Sequence, residues 1–323
     1  MVKAVRIHAT GGPEVMSLEE VSLEAPGPGM VTVRNEAVGL NFIDTYHRSG
    51  LYPLELPSGL GLEAAGRVEA VGEGAEFAVG DRVAYCAASI GAYSEALNLP
   101  AARLVPVPDG ISADVAAAVS LKGATCEYLL QRTYPLAAGE YCLFHAAAGG
   151  VGLIFGQWAR AVGAIAIGTV STAEKAELAL ANGYQHVINY SEEDVVARVM
   201  EITEGAKLPV VYDGVGKDTF EQSLDCLRPR GLMVSFGNAS GSPPPLELST
   251  LSAKGSLFIT RPTLFSYVMD TAELRKCLGD VYQRVLDGDI RVDIKQRYPL
   301  SEVQQAHRDL EARRTTGSTL LLP

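Results

Sequence analysis

The stretch Phe144-His145-Ala146-Ala147-Ala148-Gly149-Gly150-Val151-Gly152 lies between a predicted strand, Tyr141 to His145, and a helix predicted to begin near Gly150. Aligned to the dinucleotide fingerprint G-x-G-x-x-G it reads Ala147-x-Gly149-x-x-Gly152, with alanine in the place of the first glycine. Gly149 would let the backbone approach a pyrophosphate, and Gly152 would let the helix pack closely on the sheet. The helix N-terminus adds unpaired N–H groups and a partial positive charge for the anion. A plain tight turn would need glycine for backbone reasons alone. The strand before and the helix after favour the nucleotide reading.

Downstream of this turn, short apolar strands alternate with amphipathic helices. Strands are predicted at Ala164–Val170, His186–Ile188, Val210–Tyr212 and Leu232–Phe236, and helices at Ala173–Asn182, Asp194–Glu204 and Thr219–Leu227. Such alternation implies βαβ crossovers and a doubly wound parallel sheet. An apolar strand, Ser256–Thr260, follows a Pro-rich loop. Helices near Thr271–Asp287 and Ser301–Arg314 and a strand at Ser318–Leu322 close the chain. Upstream, about 120 residues rich in Val, Gly and Pro read as an irregular, mostly β domain, with strands such as Val31–Val38, Gly66–Val71 and Asp81–Tyr85. Helical spacing appears at Asp114–Leu121 and Thr125–Thr133. The fold class is α/β.

With 323 residues, 47% hydrophobic and 20% charged, the chain has the profile of a globular protein with room for two cores. No run of about 18 apolar residues predicts a membrane helix. The start, MVKAVRIHATGG, lacks the order of a secretory signal, so a cytoplasmic location is expected. A formal charge of -11 argues against a general grip on nucleic acid or an anionic membrane. The five cysteines are scattered without C-x-x-C spacing and read as reduced, buried thiols.

About 20 residues past the glycines, an NAD site would place a carboxylate on the ribose hydroxyls. This chain has Thr169-Val170-Ser171-Thr172-Ala173-Glu174-Lys175 there. Ser171 and Thr172 can donate to a 2′-phosphate and Lys175 can supply a charge, which points to NADPH. Two features pull the other way: Ser171 or Thr172 suits the cap of the next helix, and Glu174 is acidic.

His8, His47, His145, His186 and His307 form no metal-ligand spacing with each other or with cysteine, so no metal is expected. A metal-free site restricts the acceptor. Reducing a simple ketone gives an alkoxide whose conjugate acid is about as weak as water, ~15.7, and which wants a Lewis acid. Reducing a quinone gives a phenolate with a conjugate pKa near ~10, a difference worth roughly 8 kcal/mol on the product side. Conjugated, electron-poor acceptors are favoured.

The chain resembles the zinc-free quinone oxidoreductases, the zeta-crystallin-like group of the medium-chain dehydrogenase/reductase superfamily. The likeness rests on Gly11-Gly12-Pro13-Glu14-Val15, Asn41-Phe42-Ile43-Asp44-Thr45-Tyr46, Ser49-Gly50-Leu51-Tyr52-Pro53, Val79-Gly80-Asp81-Arg82-Val83, His145 to Gly152 and Val234-Ser235-Phe236-Gly237-Asn238. It implies a GroES-like irregular β domain (1–121 and 290–323) into which a Rossmann domain (122–289) is inserted. The last strand would then return to the first domain. Where zinc-bearing relatives carry His in Gly-His-Glu, this chain has Leu62, and Asn41 stands where a cysteine ligand is expected. The resemblance also implies cofactor contacts from Asn41, Tyr128, Gly150, Val151, Ser171, Thr172, Lys175, Tyr190, Gly237, Asn238 and Arg313. Asn41, Tyr46 and Tyr52 would line the substrate pocket in a cleft between the domains. Tyr46 or Tyr52 would donate to the accepting oxygen, or solvent would supply the proton with no dedicated acid. Arg313 alternatively is one arginine of a surface helix, and Tyr190 a strand-end aromatic.

The resemblance further implies a homodimer, for which Ser256–Thr260 would serve if it is an edge strand. Three readings stay open: NADPH-dependent quinone reduction, reduction of activated C=C bonds in enones or alkenals, and a non-catalytic NADPH-binding or RNA-binding role. The charge of -11 weighs against RNA.

Overall fold

The computed structural model describes residues 1–323. The chain divides into two compact units, one of residues 1–124, 267–288 and 292–323 and the other of 125–266 and 289–291.

In the first unit a sheet runs in the order 294–299, 318–322, 30–40, 63–71, 82–86, 105–106, with 96–100 also pairing 30–40. Strand Met30–Leu40 is its hub: Val31 and Val33 share one buried face, and a register irregularity between Asn35 and Ala37 brings Val38 into the same core. Each such valine contributes about 1.5–3 kcal/mol on burial. The last strand, Ser318–Leu322, pairs antiparallel with Val38–Leu40, so the end of the chain returns to its beginning. A smaller sheet of Val2–Ile7, Met16–Val21 and Ser58–Gly59 was not anticipated from the sequence. Nor was the helix Phe42–Ser49, which starts at Asn41 and stops at Gly50, whose φ of 84° only glycine adopts freely.

The second unit carries six parallel strands in the order 186–189, 165–170, 141–144, 208–213, 227–235, 258–260. Numbered along the chain this is 3-2-1-4-5-6, the Rossmann order, whose reversal falls between the first and fourth strands. The strand Leu208–Asp213 is buried throughout, as a central parallel strand should be. Helices Gly150–Ala161, Ala173–Ala181, Val195–Ile202 and Phe220–Asp225 connect the strands.

Two sequence expectations need revision. The helical spacing at 114–121 and 125–133 is one helix, Ala113–Glu127, that widens into a π-type turn at Tyr128–Thr133. The helix Thr271–Leu286, placed by sequence in the second domain, packs in the first unit. Its Tyr282 hydroxyl lies 2.8 Å from Ser120 Oγ, and a Cβ on Gly123 would meet Val281.

Candidate cofactor and substrate site

The second unit places a tight turn and a helix start at the carboxyl end of its strand Tyr141–Phe144. After Phe144 the chain turns through Ala146, which holds a left-handed φ of 58°. A non-glycine residue in that region is strained, and such strain gathers at functional turns. Ala147 N donates to Thr169 O (3.0 Å), and Gly149 N to Ala146 O (3.0 Å), which fixes the turn against the neighbouring strand. Gly149 is the N-cap of Gly150–Ala161. Gly150, Val151 and Gly152 are the first three helical residues, and their N–H groups have no partner within the helix. They are the donors an anion would meet.

Gly152 is required by contact. A Cβ there would stand 2.5 Å from the carbonyl oxygens of both Ala146 and Ala147, which are backbone and cannot swing aside. Gly152→Ala is therefore expected to push the turn away from the helix and cost about 1–3 kcal/mol, read as a lowered thermal midpoint. An unchanged midpoint would show that the turn yields.

At the end of the next strand, Lys175 Nζ reaches back to Ser171 Oγ at 3.5 Å. Thr172 caps the helix Ala173–Ala181, accepting from Lys175 N at 3.3 Å. The Glu174 carboxyl is held below its usual range by its own backbone N–H and by the Thr172 hydroxyl. Thr172 is thus engaged in the cap, and the Ser171 hydroxyl and the Lys175 ammonium are the other polar groups at this corner. Tyr190 follows the adjoining strand, its N donating to Val170 O, with its side chain exposed. Tyr128 is buried at the start of the π-type turn.

Gly237 and Asn238 follow the strand Leu227–Ser235. A Cβ on Gly237 would meet Gly214 O at 2.4 Å, so two loops touch backbone to backbone. A buried network fixes these loops. Asp213 Oδ1 accepts from Val215 N and Gly216 N (2.8 and 2.9 Å). Its Oδ2 accepts from Thr219 and Ser223 hydroxyls (2.7 and 2.8 Å). Ser223 Oγ also lies 2.9 Å from His145 Nε2, whose Nδ1 lies 3.0 Å from Thr169 Oγ1. Burial lowers the His145 pKa, against the opposing charge of Asp213. His145 is thus a brace between the strand ends. The sequence offered no signal for Asp213 or Ser223 beyond a polar residue ending an apolar strand.

The first unit holds Asn41, Tyr46, Tyr52 and Arg313. Arg313 lies beyond the helix Val303–Glu311 rather than on it, exposed and with φ 59°. Phe42, Tyr46 and Tyr52 form an aromatic group, with Tyr46 5.6 Å from Phe42 and 5.2 Å from Tyr52 between ring centroids. His47 adds its ring at 5.9 Å from Tyr52. Asn41 Nδ2 donates to Glu63 Oε2 at 2.8 Å, and Lys122 Nζ donates to the same oxygen at 3.2 Å. Glu63 Oε1 accepts from Leu121 N at 2.5 Å. Lys122 carries no signal in the sequence, and Glu63 stands there only as the last residue of Gly61-Leu62-Glu63, with no role of its own.

A Rossmann sheet with a glycine phosphate turn, joined in one chain to an irregular β unit, defines a pyridine-nucleotide-dependent oxidoreductase. Comparison with known proteins narrows the class. Residues 27–109 match the alcohol dehydrogenase GroES-like domain and residues 150–278 the zinc-binding dehydrogenase model. A quinone oxidoreductase of Pseudomonas aeruginosa is 57% identical, with all of both chains covered. A 2-haloacrylate reductase of a Burkholderia species is 47% identical over all of this chain and 99% of its own length. A crystal structure of Escherichia coli quinone oxidoreductase complexed with NADPH superposes with a TM-score of 0.98 at 51% identity, covering 99% of this chain and all of that one. The chain belongs to the zinc-free quinone oxidoreductases of the medium-chain dehydrogenase/reductase superfamily.

The zinc implied by one matching model does not fit the residues present. No group of three His, Cys, Asp or Glu is arranged to hold a metal ion. Glu63, the one carboxylate of the Gly61-Leu62-Glu63 motif, already accepts from Asn41, Leu121 and Lys122. A reduced dinucleotide does fit, because the helix that starts at Gly150 offers the N–H groups of its first turn, which have no partner within the helix, to an anion.

Proposed function

We propose that this chain is an NADPH-dependent, zinc-independent quinone reductase. The observation that carries the cofactor choice is the corner at Ser171 and Lys175, where a cation reaches a hydroxyl and no carboxylate ends the strand. Gly149, Gly150, Val151 and Gly152 would receive the pyrophosphate. Ser171 and Lys175 would hold the 2′-phosphate beside the Thr172 cap, with Tyr128, Tyr190, Gly237, Asn238 and Arg313 as further contacts. Asn41 would meet the nicotinamide end, and Tyr46 and Tyr52 would line the acceptor pocket. When bound, the reduced nicotinamide supplies two electrons and the hydrogen they carry. The chain's own part is positioning. The aromatic group around Tyr46 suits a flat conjugated acceptor, and the Lys122–Glu63 pair brings two opposite charges beside Asn41, so that end of the pocket carries no net charge. A phenolate product can take its proton from solvent.

A second reading, reduction of activated C=C bonds, is favoured by the 47%-identical 2-haloacrylate reductase. A homodimer is our reading of the strand Phe258–Thr260, which lies at the edge of the parallel sheet with Phe258 60% and Ile259 37% exposed. Such an edge invites the same strand of a second copy. No helix is long and apolar enough to cross a membrane. We place the protein in the cytoplasm, its five cysteines all being free and buried.

NADPH oxidation with benzoquinones and with simple enones, with NADH in parallel, tests these readings. Quinone turnover outpacing enone turnover supports the first, and the reverse order selects the second. Lys175→Ala is expected to raise KM for NADPH about tenfold or more, as loss of a charge-assisted bond implies. KM for NADH should barely move; equal effects on both would remove the 2′-phosphate assignment.

A further inference from the structure

The Glu63 carboxylate is fully buried and makes contacts that leave it little freedom. A Cβ on Gly39 would lie 2.2 Å from Glu63 Oε2 and 2.4 Å from Ala117 O, so only a glycine lets the carboxylate rest against the central strand. Leu121 N binds one oxygen, while Asn41 Nδ2 and Lys122 Nζ share the other.

An ionised carboxylate only accepts hydrogen bonds. It therefore distinguishes the two ends of the Asn41 carboxamide. With Nδ2 toward Glu63 the contact is a hydrogen bond; with the amide flipped, oxygen would face oxygen. We infer that Glu63, with its charge balanced by Lys122, is a positioning residue that commits Asn41 to presenting its carbonyl oxygen, an acceptor, to the bound cofactor. The complementary group on a reduced nicotinamide is the N–H₂ of its carboxamide, beside the ring carbon that gives up hydride. This rests on the reading above that the nicotinamide lies beside Asn41.

The test compares NADPH with its reduced 3-acetylpyridine analogue, in which that N–H₂ is replaced by methyl. Dissociation constants are measured by calorimetry, without acceptor. The variants are Asn41→Ala, Glu63→Gln and the charge-neutral pair Glu63→Gln/Lys122→Met. The pair guards against a Glu63→Gln protein that is weakened only by an unbalanced lysine. The wild-type chain is expected to prefer NADPH by about tenfold, the value of one well-placed hydrogen bond. Asn41→Ala should lose most of that preference, and both Glu63 variants a substantial part of it, because glutamine accepts either end of the asparagine amide and only the longer bond from Nδ2 to Gly39 O (3.4 Å) is left to hold it. Retention of the full preference in the double variant, with its loss in Asn41→Ala, would overturn the role given to Glu63 while leaving the nicotinamide placement standing. A wild-type chain that binds neither cofactor, or an Asn41→Ala chain with the preference intact, would overturn the placement and the inference with it.

Discussion

Lys122→Met is expected to lower the thermal midpoint of unfolding by on the order of 10 °C. The Lys122 side chain is 6% exposed and Glu63 0%, so the ion pair they form at 3.2 Å is almost wholly out of water. Removing the cation leaves Glu63 with two neutral donors, Asn41 Nδ2 and Leu121 N, and no balancing charge. Breaking a buried pair from one side costs about 3–5 kcal/mol, because the remaining charge cannot regain its hydration. In a protein with units of this size, each kcal/mol moves the midpoint by about 2–4 °C. Glu63→Gln/Lys122→Met should recover most of the loss, since an uncharged pair of similar volume is often tolerated. Circular dichroism melts of the single and double variants check this. A single variant within about 2 °C of the wild type would mean that water or another group reaches Glu63, and the account of a dry ion pair would fail.

That pair also shows where reading from the sequence stops. The phosphate turn was legible because its signal is local: a strand, glycines at fixed spacing and a helix start within a dozen residues. The parallel order followed from alternation, and within the apolar run Ser256–Thr260 the residues Phe258–Thr260 form a strand at the sheet edge. The helix Phe42–Ser49 was legible in principle. Asn41 at the N-cap, Asp44 three residues later and Gly50 just past the end form a start and a stop at capping-box spacing. Glu63 could not be found this way. Its partners Leu121 and Lys122 are 58 and 59 residues distant, and a lone charge at a strand start reads as solvent-facing until the sheet is assembled. Thr172 is intermediate: both its roles were visible, and only the bond to Lys175 N shows that the cap is made.

The same limit hides two buried titrating groups behind Asn41, and their contributions to the pH dependence of stability oppose each other. Asp44 Oδ2 accepts from Asn41 N (2.9 Å) and from Tyr93 OH (2.7 Å), while its Oδ1 is buried without a partner. Tyr93 OH is 3.1 Å from His307 Nε2, and His307 Nδ1 is 3.0 Å from Arg48 Nη1, which pairs in turn with Glu311. The Arg48 guanidinium can only donate, so Nδ1 accepts and the ring proton sits on Nε2, facing Tyr93. Burial pushes the Asp44 carboxyl up to about 7 from 3.8, against Tyr93, Asn41 N–H and Lys122 and with Glu63. Burial, with the Arg48 charge, pushes His307 down to about 3 from 6.5. Between these limits the folded chain keeps its proton on Asp44, and the unfolded chain keeps it on His307. Asp44 alone would make stability fall as pH rises from about 4 to 7, because the folded state binds the extra proton there. His307 alone would make stability rise from about 3 to 6.5, because there the unfolded state binds it. Each slope is about 1.4 kcal/mol per pH unit, and over the shared window they cancel. Relative to the wild type, Asp44→Asn is therefore expected to gain stability steadily from pH 4.5 to 6.5, by about 2–3 kcal/mol in all. His307→Gln, which keeps an acceptor for Arg48 and a donor for Tyr93, should lose a similar amount over the same range. Urea unfolding of the three proteins at pH 4.5, 5.5 and 6.5 checks the signs. If all three pH curves run parallel, the proton is not exchanged between Asp44 and His307 on unfolding, and the cancellation argued here does not occur.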